Sequence, residues 1–392
     1  MTIHNQFSFA IYSVLFFGFF VYTFAVLKGF PNFLGGMFSL SIILFFPFVF
    51  LKYLISLKKE SHAIEWIYLL LICYVFIYSL FAALFFNISL YDPPVTKGIL
   101  FICYSSVGWY LGRYLKLEHK IYRNINLIFI VSMIGFFFVT IAIEGNPFAV
   151  LFLLLDESGI AANYQGIGRS IFYIGVFTLL FSKKKILLSL LFILLIFLVG
   201  SRTHLIGFVS ILTIYLLITY PRSALISIGF ITLFFSIILS IMNVYFPETY
   251  DNVVNSRVAE LVNITSSASF NSRIETFISG WEVIKNYPLL GSFGHYFYQG
   301  GGYPHNFLYA WSNWGLIPFI TILILLMTTS FQSLFKSLNY KEQKNVMLAS
   351  YVVTVAFLHF FVVAPIEDIS LGILIGLFVG IINEKHKNHS YM

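Results

Sequence analysis

Residues 185–222 read KILLSLLFILLIFLVGSRTHLIGFVSILTIYLLITYPR, two apolar runs separated by the polar sequence Gly200-Ser201-Arg202-Thr203-His204. The 36 residues between Lys185 and Arg222 would form a helix about 54 Å long at about 1.5 Å per residue, whereas the hydrocarbon core of a bilayer is about 30 Å thick. A single membrane-spanning helix is therefore excluded. The stretch predicts a hairpin of two short spans, each about 25 Å long, whose polar turn lies below the outer headgroups.

The composition of the whole chain also indicates a membrane protein. Of its 392 residues, 59% are hydrophobic and 10% are charged, whereas soluble proteins carry about 25% charged residues. The formal charge of +7 comes from charges scattered between apolar runs, so a nucleic-acid-binding protein is excluded. The two cysteines, Cys73 and Cys103, lie inside apolar runs, which excludes a disulfide framework and a cysteine-based metal site.

The apolar runs predict an all-α, polytopic integral membrane protein with about 12 transmembrane helices. We expect the chain to form a single membrane domain, 1–392, that contains one large outer loop, 247–305. The predicted spans lie near residues 7–27, 37–57, 64–86, 97–115, 125–143, 166–181, 186–200, 203–220, 223–246, 306–330, 346–363 and 369–382.

The distribution of lysine and arginine predicts the orientation, because cytoplasmic loops carry the excess of basic residues. With both termini inside, 16 of the 23 basic residues lie on the cytoplasmic side. The bias differs by residue type, since 13 of 16 lysines lie inside but four of seven arginines lie outside. The outer arginines therefore indicate a role other than topology. They are Arg169, Arg202, Arg257 and Arg273.

The large outer loop carries its own helix signal. Ser272 followed by Glu275 is a capping-box pattern, which predicts a helix that begins there and ends before Pro288. Apolar residues recur at helical spacing within it, at Ile274, Phe277, Ile278, Trp281 and Ile284. We expect an amphipathic helix that lies on the outer membrane surface.

Two arginines and a histidine are the first candidates for function. Arg202 and His204 belong to the hairpin turn, and a charge in the outer leaflet is costly unless it faces a polar cavity or a partner. The alternative is an arginine that reaches the headgroups. Arg273 falls in the first turn of the predicted surface helix, where the helix dipole also favours an anion, although it could instead pair with a lipid phosphate.

A third candidate lies at the start of a predicted span. His305 follows Gly300-Gly301-Gly302-Tyr303-Pro304 and precedes Asn306. A histidine at this position can act as a general base near neutral pH, and the alternative is a structural histidine. The acidic pairs Asp156-Glu157 and Glu367-Asp368 could bind sugar hydroxyls or simply solvate loops, and the histidine spacing does not indicate a metal site.

Three segments in this order resemble the superfamily of O-antigen ligases and O-antigen polymerases. They are Val199-Gly200-Ser201-Arg202-Thr203; Asn271-Ser272-Arg273 with Gly280-Trp281 and Tyr287-Pro288-Leu289-Leu290-Gly291; and His305-Asn306 with Gly315. The part of the chain that carries these motifs spans about residues 160–330.

The resemblance implies a metal-independent, inverting glycosyltransferase of lipopolysaccharide biosynthesis that needs no cofactor. It implies a bacterial inner-membrane protein with both termini cytoplasmic, a site facing the periplasm, and an undecaprenyl-diphosphate-linked oligosaccharide as substrate. Arg202 and Arg273 would hold the diphosphate, and His305 would assist the acceptor hydroxyl. The expected protein partners are a chain-length regulator and a flippase.

The remaining candidates are expected to bind substrate rather than to react with it. They are Arg169, His204, Asn306, Glu367 and Asp368.

Three functions remain open. A polymerase transfers the glycan to a lipid-linked repeat unit and a ligase transfers it to lipid A-core. The short stretch between Arg273 and His305 favours the polymerase, because it leaves little surface for a bulky core acceptor. A secondary transporter is the third reading, but its paired halves and midplane charges are not found in this sequence.

Overall fold

A computed structural model describes the helical framework of the chain. It covers residues 3–18, 37–59, 62–85, 88–89, 92–115, 164–199, 201–221, 268–298, 307–340, 342–361 and 369–389, with isolated residues between 127 and 134 and between 229 and 247. Within these ranges all regular secondary structure is helical and no strand occurs. The all-α prediction is confirmed for this part of the chain, whereas the count of twelve spans stays a prediction.

The helices follow the apolar runs of the sequence closely. In the first part of the chain they are α1 (Ile3–Tyr12, continued by a π-helical segment Ser13–Gly18), α2 (Met37–Lys59), α3 (Ala63–Phe85) and α4 (Pro93–Tyr114). The central helices are α5 (Tyr164–Phe181), α6 (Lys185–Val199) and α7 (Arg202–Thr219). The last part contains α8 (Ala268–Asn286), α9 (His295–Tyr298), α10 (Leu308–Trp314), α11 (Leu316–Tyr340), α12 (Gln343–Phe361) and α13 (Ser370–His389).

Several of these helices match the dimensions of a membrane. Among the described residues, three segments are long and apolar enough to cross one, namely Leu40–Lys58, Ala63–Phe85 and Leu316–Asn339. Shorter apolar helices include Lys185–Phe197 and Thr203–Thr219, the two arms around the hairpin turn. The predicted pair of short helices around Gly200 is therefore confirmed.

The predicted span 306–330 is wrong as a single helix. The structure divides it into α10 and α11 at Gly315, whose φ of +90° lies in the left-handed region. A Cβ atom on Gly315 would lie 2.3 Å from the carbonyl oxygen of Leu289, so the break is made by the loop that packs against it. The long apolar span begins after this break and runs to the end of α11.

The most extensive contact between two helices in the described part of the chain joins α4 and α13, which face each other through glycines. A Cβ atom on Gly112 would lie 2.3 Å from the carbonyl oxygen of Ile373, and one on Gly376 would lie 2.1 Å from that of Trp109. Gly108 and Gly112, and Gly372, Gly376 and Gly380, repeat every four residues on the facing helices. This small-residue spacing brings helix backbones together in membranes.

A buried ion pair fixes the end of the same helix. Glu65, at the start of α3, is fully buried and pairs with Arg113 of α4, and it also accepts a hydrogen bond from Trp109 Nε1 at 2.9 Å. The Arg113 guanidinium carbon lies 5.2 Å from the Trp109 ring. Both charges are therefore satisfied inside the protein, which indicates a structural role.

Candidate functional site

The hairpin turn forms one part of the candidate site. Ser201 is 2% exposed and lies immediately before α7, which begins at Arg202. Within the described turn, the Ser201 hydroxyl bonds Nδ1 of His204 at 2.7 Å rather than the first backbone N–H groups of α7. The turn therefore fixes the ring of His204, one of the predicted substrate-binding residues.

The N-terminal part of α5 packs directly against this turn. A Cβ atom on Gly168 would lie 2.4 Å from Cβ of Ser201 and 3.3 Å from Nδ1 of His204, so only glycine fits there without a shift. The next residue is Arg169, which is half-buried. The structure thus brings the backbone positions of Arg169 and Arg202 to the same end of the helix bundle.

The C-terminal end of α12 completes this cluster. A Cβ atom on Gly207 of α7 would lie 3.0 Å from Cδ1 of Leu358 and 3.0 Å from Cε2 of Phe172. The Phe172 ring in turn lies 5.6 Å from that of His204. Helices α5, α7 and α12 therefore meet at the hairpin turn.

His359, the residue after Leu358, links this cluster to two further segments. Its carbonyl oxygen accepts a hydrogen bond from the Phe307 backbone N–H at 2.9 Å. Its ring nitrogen Nε2 lies 2.7 Å from the Ser370 hydroxyl. Phe307 comes directly after His305-Asn306 in the sequence. Ser370 lies two residues after Asp368, the second residue of the Glu367-Asp368 pair. Those four predicted residues lie outside the described residues.

The helix that carries Arg273 differs from the expected one. It begins at Ala268 and ends at Asn286, so Ser272 is not its N-cap and Arg273 lies in its second turn. The capping-box prediction is wrong because no glycine or proline between 263 and 272 stops the helix upstream of Ser272. The backbone N–H of Arg273 then bonds within the helix, so it is not one of the free N–H groups at the N-terminus that would attract an anion.

The exposed face of α8 is apolar. Ile274, Phe277, Ile278 and Trp281 are each 41–52% exposed, whereas Thr276 and the predicted stripe member Ile284 are buried. Ile284 therefore packs into the protein instead of sharing the exposed face. The exposed side chains fit a helix that lies on a membrane, and that location stays a prediction.

The C-terminal end of α8 is anchored to α10. The Trp281 and Trp311 rings lie 6.4 Å apart in an edge arrangement, and Trp311 Nε1 donates to the Pro288 carbonyl oxygen at 2.7 Å. The Leu316 N–H donates to the Leu289 carbonyl oxygen at 3.0 Å. The segment that follows α8 is thus held against the start of α11.

Two glycines make this contact possible. Gly291 has a φ of +67°, and a Cβ atom on it would lie 2.7 Å from the Trp311 carbonyl oxygen and 2.8 Å from the Gly315 nitrogen. Gly315 meets Leu289 and Leu290 from the other side. The Pro288-Leu289-Leu290-Gly291 segment therefore packs against α10 and the start of α11.

His295 is the histidine of α9, in the segment that follows α8. Burial lowers the pKa of His295 in α9, because desolvation disfavours the charged imidazolium. No group of three histidine, cysteine or acidic side chains that could hold a metal occurs among the described residues. The prediction of a metal-independent reaction is not tested by this.

Sequence reasoning missed His359 and Ser370. A histidine within the apolar run 346–363 was the available signal, because ionisable residues inside membrane segments are usually paired or functional. The residues it contacts are 52 positions upstream and 11 downstream, so no local pattern connects them.

Comparison with known proteins identifies the central part of the chain. Residues 187–323 match a family model described as O-antigen ligase, and this segment contains Arg202, Arg273, His305 and Gly315. No curated protein matches the chain. The family consists of glycosyltransferase-like membrane enzymes that process O-antigen in lipopolysaccharide biosynthesis. The match over residues 187–323 supports the resemblance of the chain to the superfamily of O-antigen ligases and O-antigen polymerases, and it does not separate the two activities.

Proposed function

We propose that the protein is an O-antigen polymerase of the bacterial inner membrane. It transfers a growing glycan from undecaprenyl diphosphate to a lipid-linked repeat unit at the periplasmic face, with inversion and without a metal or other cofactor. The observation that carries this proposal is the convergence of α5, α7 and α12 at the hairpin turn, beside the described residues that flank His305 and Glu367-Asp368.

The chemistry requires positive charge at the donor. When the bond between the anomeric carbon and the phosphate oxygen breaks, the diphosphate leaving group gains negative charge. Guanidinium groups bind phosphate oxygens in pairs, and Arg202 and Arg273 supply them. Arg169, next to the glycine that packs on the turn, is a further cation for the same group.

The acceptor side requires a base. The acceptor hydroxyl attacks the anomeric carbon from the face opposite the diphosphate, which inverts the configuration. His305 takes the hydroxyl proton, the new glycosidic bond forms and undecaprenyl diphosphate leaves. The hydroxyl groups of the sugars are bound by the remaining polar side chains, which are His204, Asn306, Glu367 and Asp368.

A ligase is the second candidate function, because the matching family model is described as O-antigen ligase. The loop contacts favour the polymerase. In the stretch between Arg273 and His305, the end of α8 and the following Pro288-Leu289-Leu290-Gly291 segment contact α10 and α11. Among the described residues of this stretch, the groups that make these contacts are not available to bind a large lipid A-core acceptor.

One incubation separates these functions. Purified protein receives a single lipid-linked repeat unit, with and without lipid A-core, and the products are resolved by size. A ladder of lipid-linked products without core supports the polymerase. Product that forms only with core identifies a ligase, and uptake of an unmodified solute into vesicles without any product would support a transporter. A chain-length regulator would narrow the ladder, and a flippase would be needed only in intact membranes.

A further inference from the structure

Lysine side chains gather at the end of the bundle opposite the hairpin turn. The turn between α5 and α6 carries Lys183 and Lys184, which are both exposed, and α6 begins at Lys185. Because α6 has 15 residues, this end lies about 22 Å from the hairpin turn at about 1.5 Å per residue. The lysines therefore belong to a surface that is separate from the candidate site.

Lys185 fixes this turn from the inside. It is 3% exposed, and its ammonium group donates a hydrogen bond to the carbonyl oxygen of Leu179, in the last turn of α5. The carbonyl groups at a helix C-terminus carry partial negative charge, so a cation is stabilised there. The backbone N–H of Lys184 donates to the Ser182 hydroxyl at 3.1 Å. These two bonds hold Lys183 and Lys184 on a short, fixed turn.

A fourth lysine reaches the same place from α12. Lys344 lies in the first turn of α12, and its ammonium nitrogen is 5.3 Å from the centre of the Phe181 ring, at the end of α5. It is close enough to Lys185 for the two positive charges to repel each other. The carboxylate of Glu342 accepts a hydrogen bond from Asn345 Nδ2 at 3.0 Å, within the start of α12. Positive charges brought this close together attract an anion.

The surface beside these lysines is apolar and exposed. Ile186 and Leu187 follow Lys185 in α6 and are 42% and 65% exposed. A soluble anion such as inorganic phosphate gains nothing from apolar surface, whereas the acyl chains of a phospholipid cover it. Basic groups at a helix end beside a lipid-facing surface are typical of sites for anionic lipid head groups. The neighbouring apolar residues therefore favour a lipid over a soluble anion.

We propose that the lysine cluster, Lys183, Lys184, Lys185 and Lys344, binds the phosphate group of an anionic phospholipid. The exposed ammonium groups of Lys183 and Lys184 donate hydrogen bonds to the phosphate oxygens, and Lys344 adds positive charge from α12. Lys185 keeps the turn in place, and the acyl chains lie along the exposed apolar residues of α6. Binding of this lipid requires no turnover, so it can be measured whether or not the protein is a polymerase.

The first experiment measures lipid binding to the purified full-length protein in detergent. The probe is dioleoyl phosphatidylglycerol, and zwitterionic dioleoyl phosphatidylcholine is its control. A ligand that binds only the folded state raises the unfolding temperature as its concentration rises. We expect phosphatidylglycerol to raise the unfolding temperature at concentrations at which phosphatidylcholine does not. Equal shifts with the two lipids would overturn the proposal.

A double variant tests the two exposed lysines. One lysine beside an anionic lipid is worth about fivefold in affinity, so Lys183→Gln/Lys184→Gln should weaken phosphatidylglycerol binding by about 10- to 30-fold. Lys183→Arg/Lys184→Arg keeps both charges and should bind within about threefold of wild type. The control Lys58→Gln/Lys285→Gln removes the same net charge at two exposed lysines outside the cluster and should keep its affinity. A loss in the control as large as in Lys183→Gln/Lys184→Gln would overturn the proposal.

A third measurement separates the lipid from a soluble anion. Glycerophosphoglycerol carries the same head group without acyl chains, and it should bind at least about 100-fold more weakly than phosphatidylglycerol. Leu187→Gln should also weaken lipid binding, whereas Leu70→Gln in α3, at a leucine that is 66% exposed, should not. Binding of glycerophosphoglycerol as tight as that of the lipid would assign the lysine cluster to a soluble anion and overturn the proposal.

Discussion

The α4–α13 pair and the hairpin turn use glycine for opposite purposes. Between α4 and α13, the atoms that meet a Cβ on Gly376 are backbone atoms of the other helix, so the glycines bring two helices into contact. At the turn, the atoms that meet a Cβ on Gly168 belong to the side chains of Ser201 and His204. The glycines of α4 and α13 pack two helix backbones together inside the protein. Gly168 instead packs against polar side chains at the end of the bundle.

The charges of the two regions differ in the same way. Arg113 is buried and satisfied by Glu65 and by the ring of Trp109. Arg169 and Arg202 lie at the end of the bundle where the turn is polar, and the matched family segment includes Arg202. Mutations in the first region should therefore act on stability and those in the second on turnover.

The largest effect is expected for Gly376→Ala. The added Cβ would lie 2.1 Å from a backbone oxygen, which cannot move aside, so overpacking of about 1–3 kcal/mol should lower both the unfolding temperature and the folded yield. Gly380→Ala is the matched control on the same helix, because its Cβ would lie 3.0 Å from the Arg113 carbonyl oxygen. Folded yield and unfolding temperature in detergent measure both. Equal yields would show that the glycine contact does not hold α4 and α13 together.

The next effect is expected for His305→Ala. General-base assistance is typically worth about 100- to 10,000-fold, so turnover should fall by at least about 100-fold while donor binding stays near normal. Turnover is measured with the lipid-linked repeat unit and binding with an unreactive donor analogue. Collapse of donor binding would make His305 a diphosphate ligand, and unchanged turnover would make it structural. In either case Glu367 or Asp368 becomes the next base to test.

A smaller effect is expected for Gly168→Ala. Its Cβ would press on two side chains rather than on backbone, so the turn can yield at the expense of the His204 position. We expect a fall in kcat of about tenfold and a folded yield close to that of wild type, because a shift of well under 1 Å still costs rate. A folded yield as low as that of Gly376→Ala would erase the distinction between the two regions.

No effect is expected from removal of divalent cations. The arginines supply the positive charge that a metal would otherwise bring to the diphosphate, so polymer formation should survive EDTA. Activity that is lost with EDTA and restored by magnesium or manganese would instead assign metal binding to acidic residues such as Asp156, Glu157, Glu367 and Asp368.

The parts of this molecule that were predictable from sequence are the local ones. The two apolar arms around Gly200 predict their helices because length and polarity are properties of the stretch itself. The break at Gly315 was not predictable, because it depends on the backbone of Leu289 and Leu290. Ser312 and Asn313 precede Gly315, but this polar step is short, and the apolar residues on either side of it read as one span without the loop.

The contacts between distant parts of the chain were not predictable from sequence for the same reason. The repeated glycines of α4 and of α13 are visible in the sequence, but they are separated by about 260 residues, and spacing alone does not say which helices pair. The structure places the backbone positions of Arg169, Arg202 and His204 at one end of the bundle, and their roles in a site stay a prediction. His359 contacts Phe307, close to His305 in sequence, through its backbone carbonyl. It lies in an apolar run, and no local pattern in the sequence indicates this contact.

The most direct test of the central claim is the same substitution at two arginines, measured for turnover and for unfolding temperature. A lysine keeps the charge but loses the planar fork that binds a diphosphate or stacks on an aromatic ring. We predict that Arg202→Lys loses most of its turnover and keeps its unfolding temperature. Arg113→Lys should lower the unfolding temperature, because the ammonium loses the contact with Trp109, and keep most of its turnover per folded molecule. Near-normal turnover of Arg202→Lys would contradict the assignment of the hairpin turn as a diphosphate-binding site.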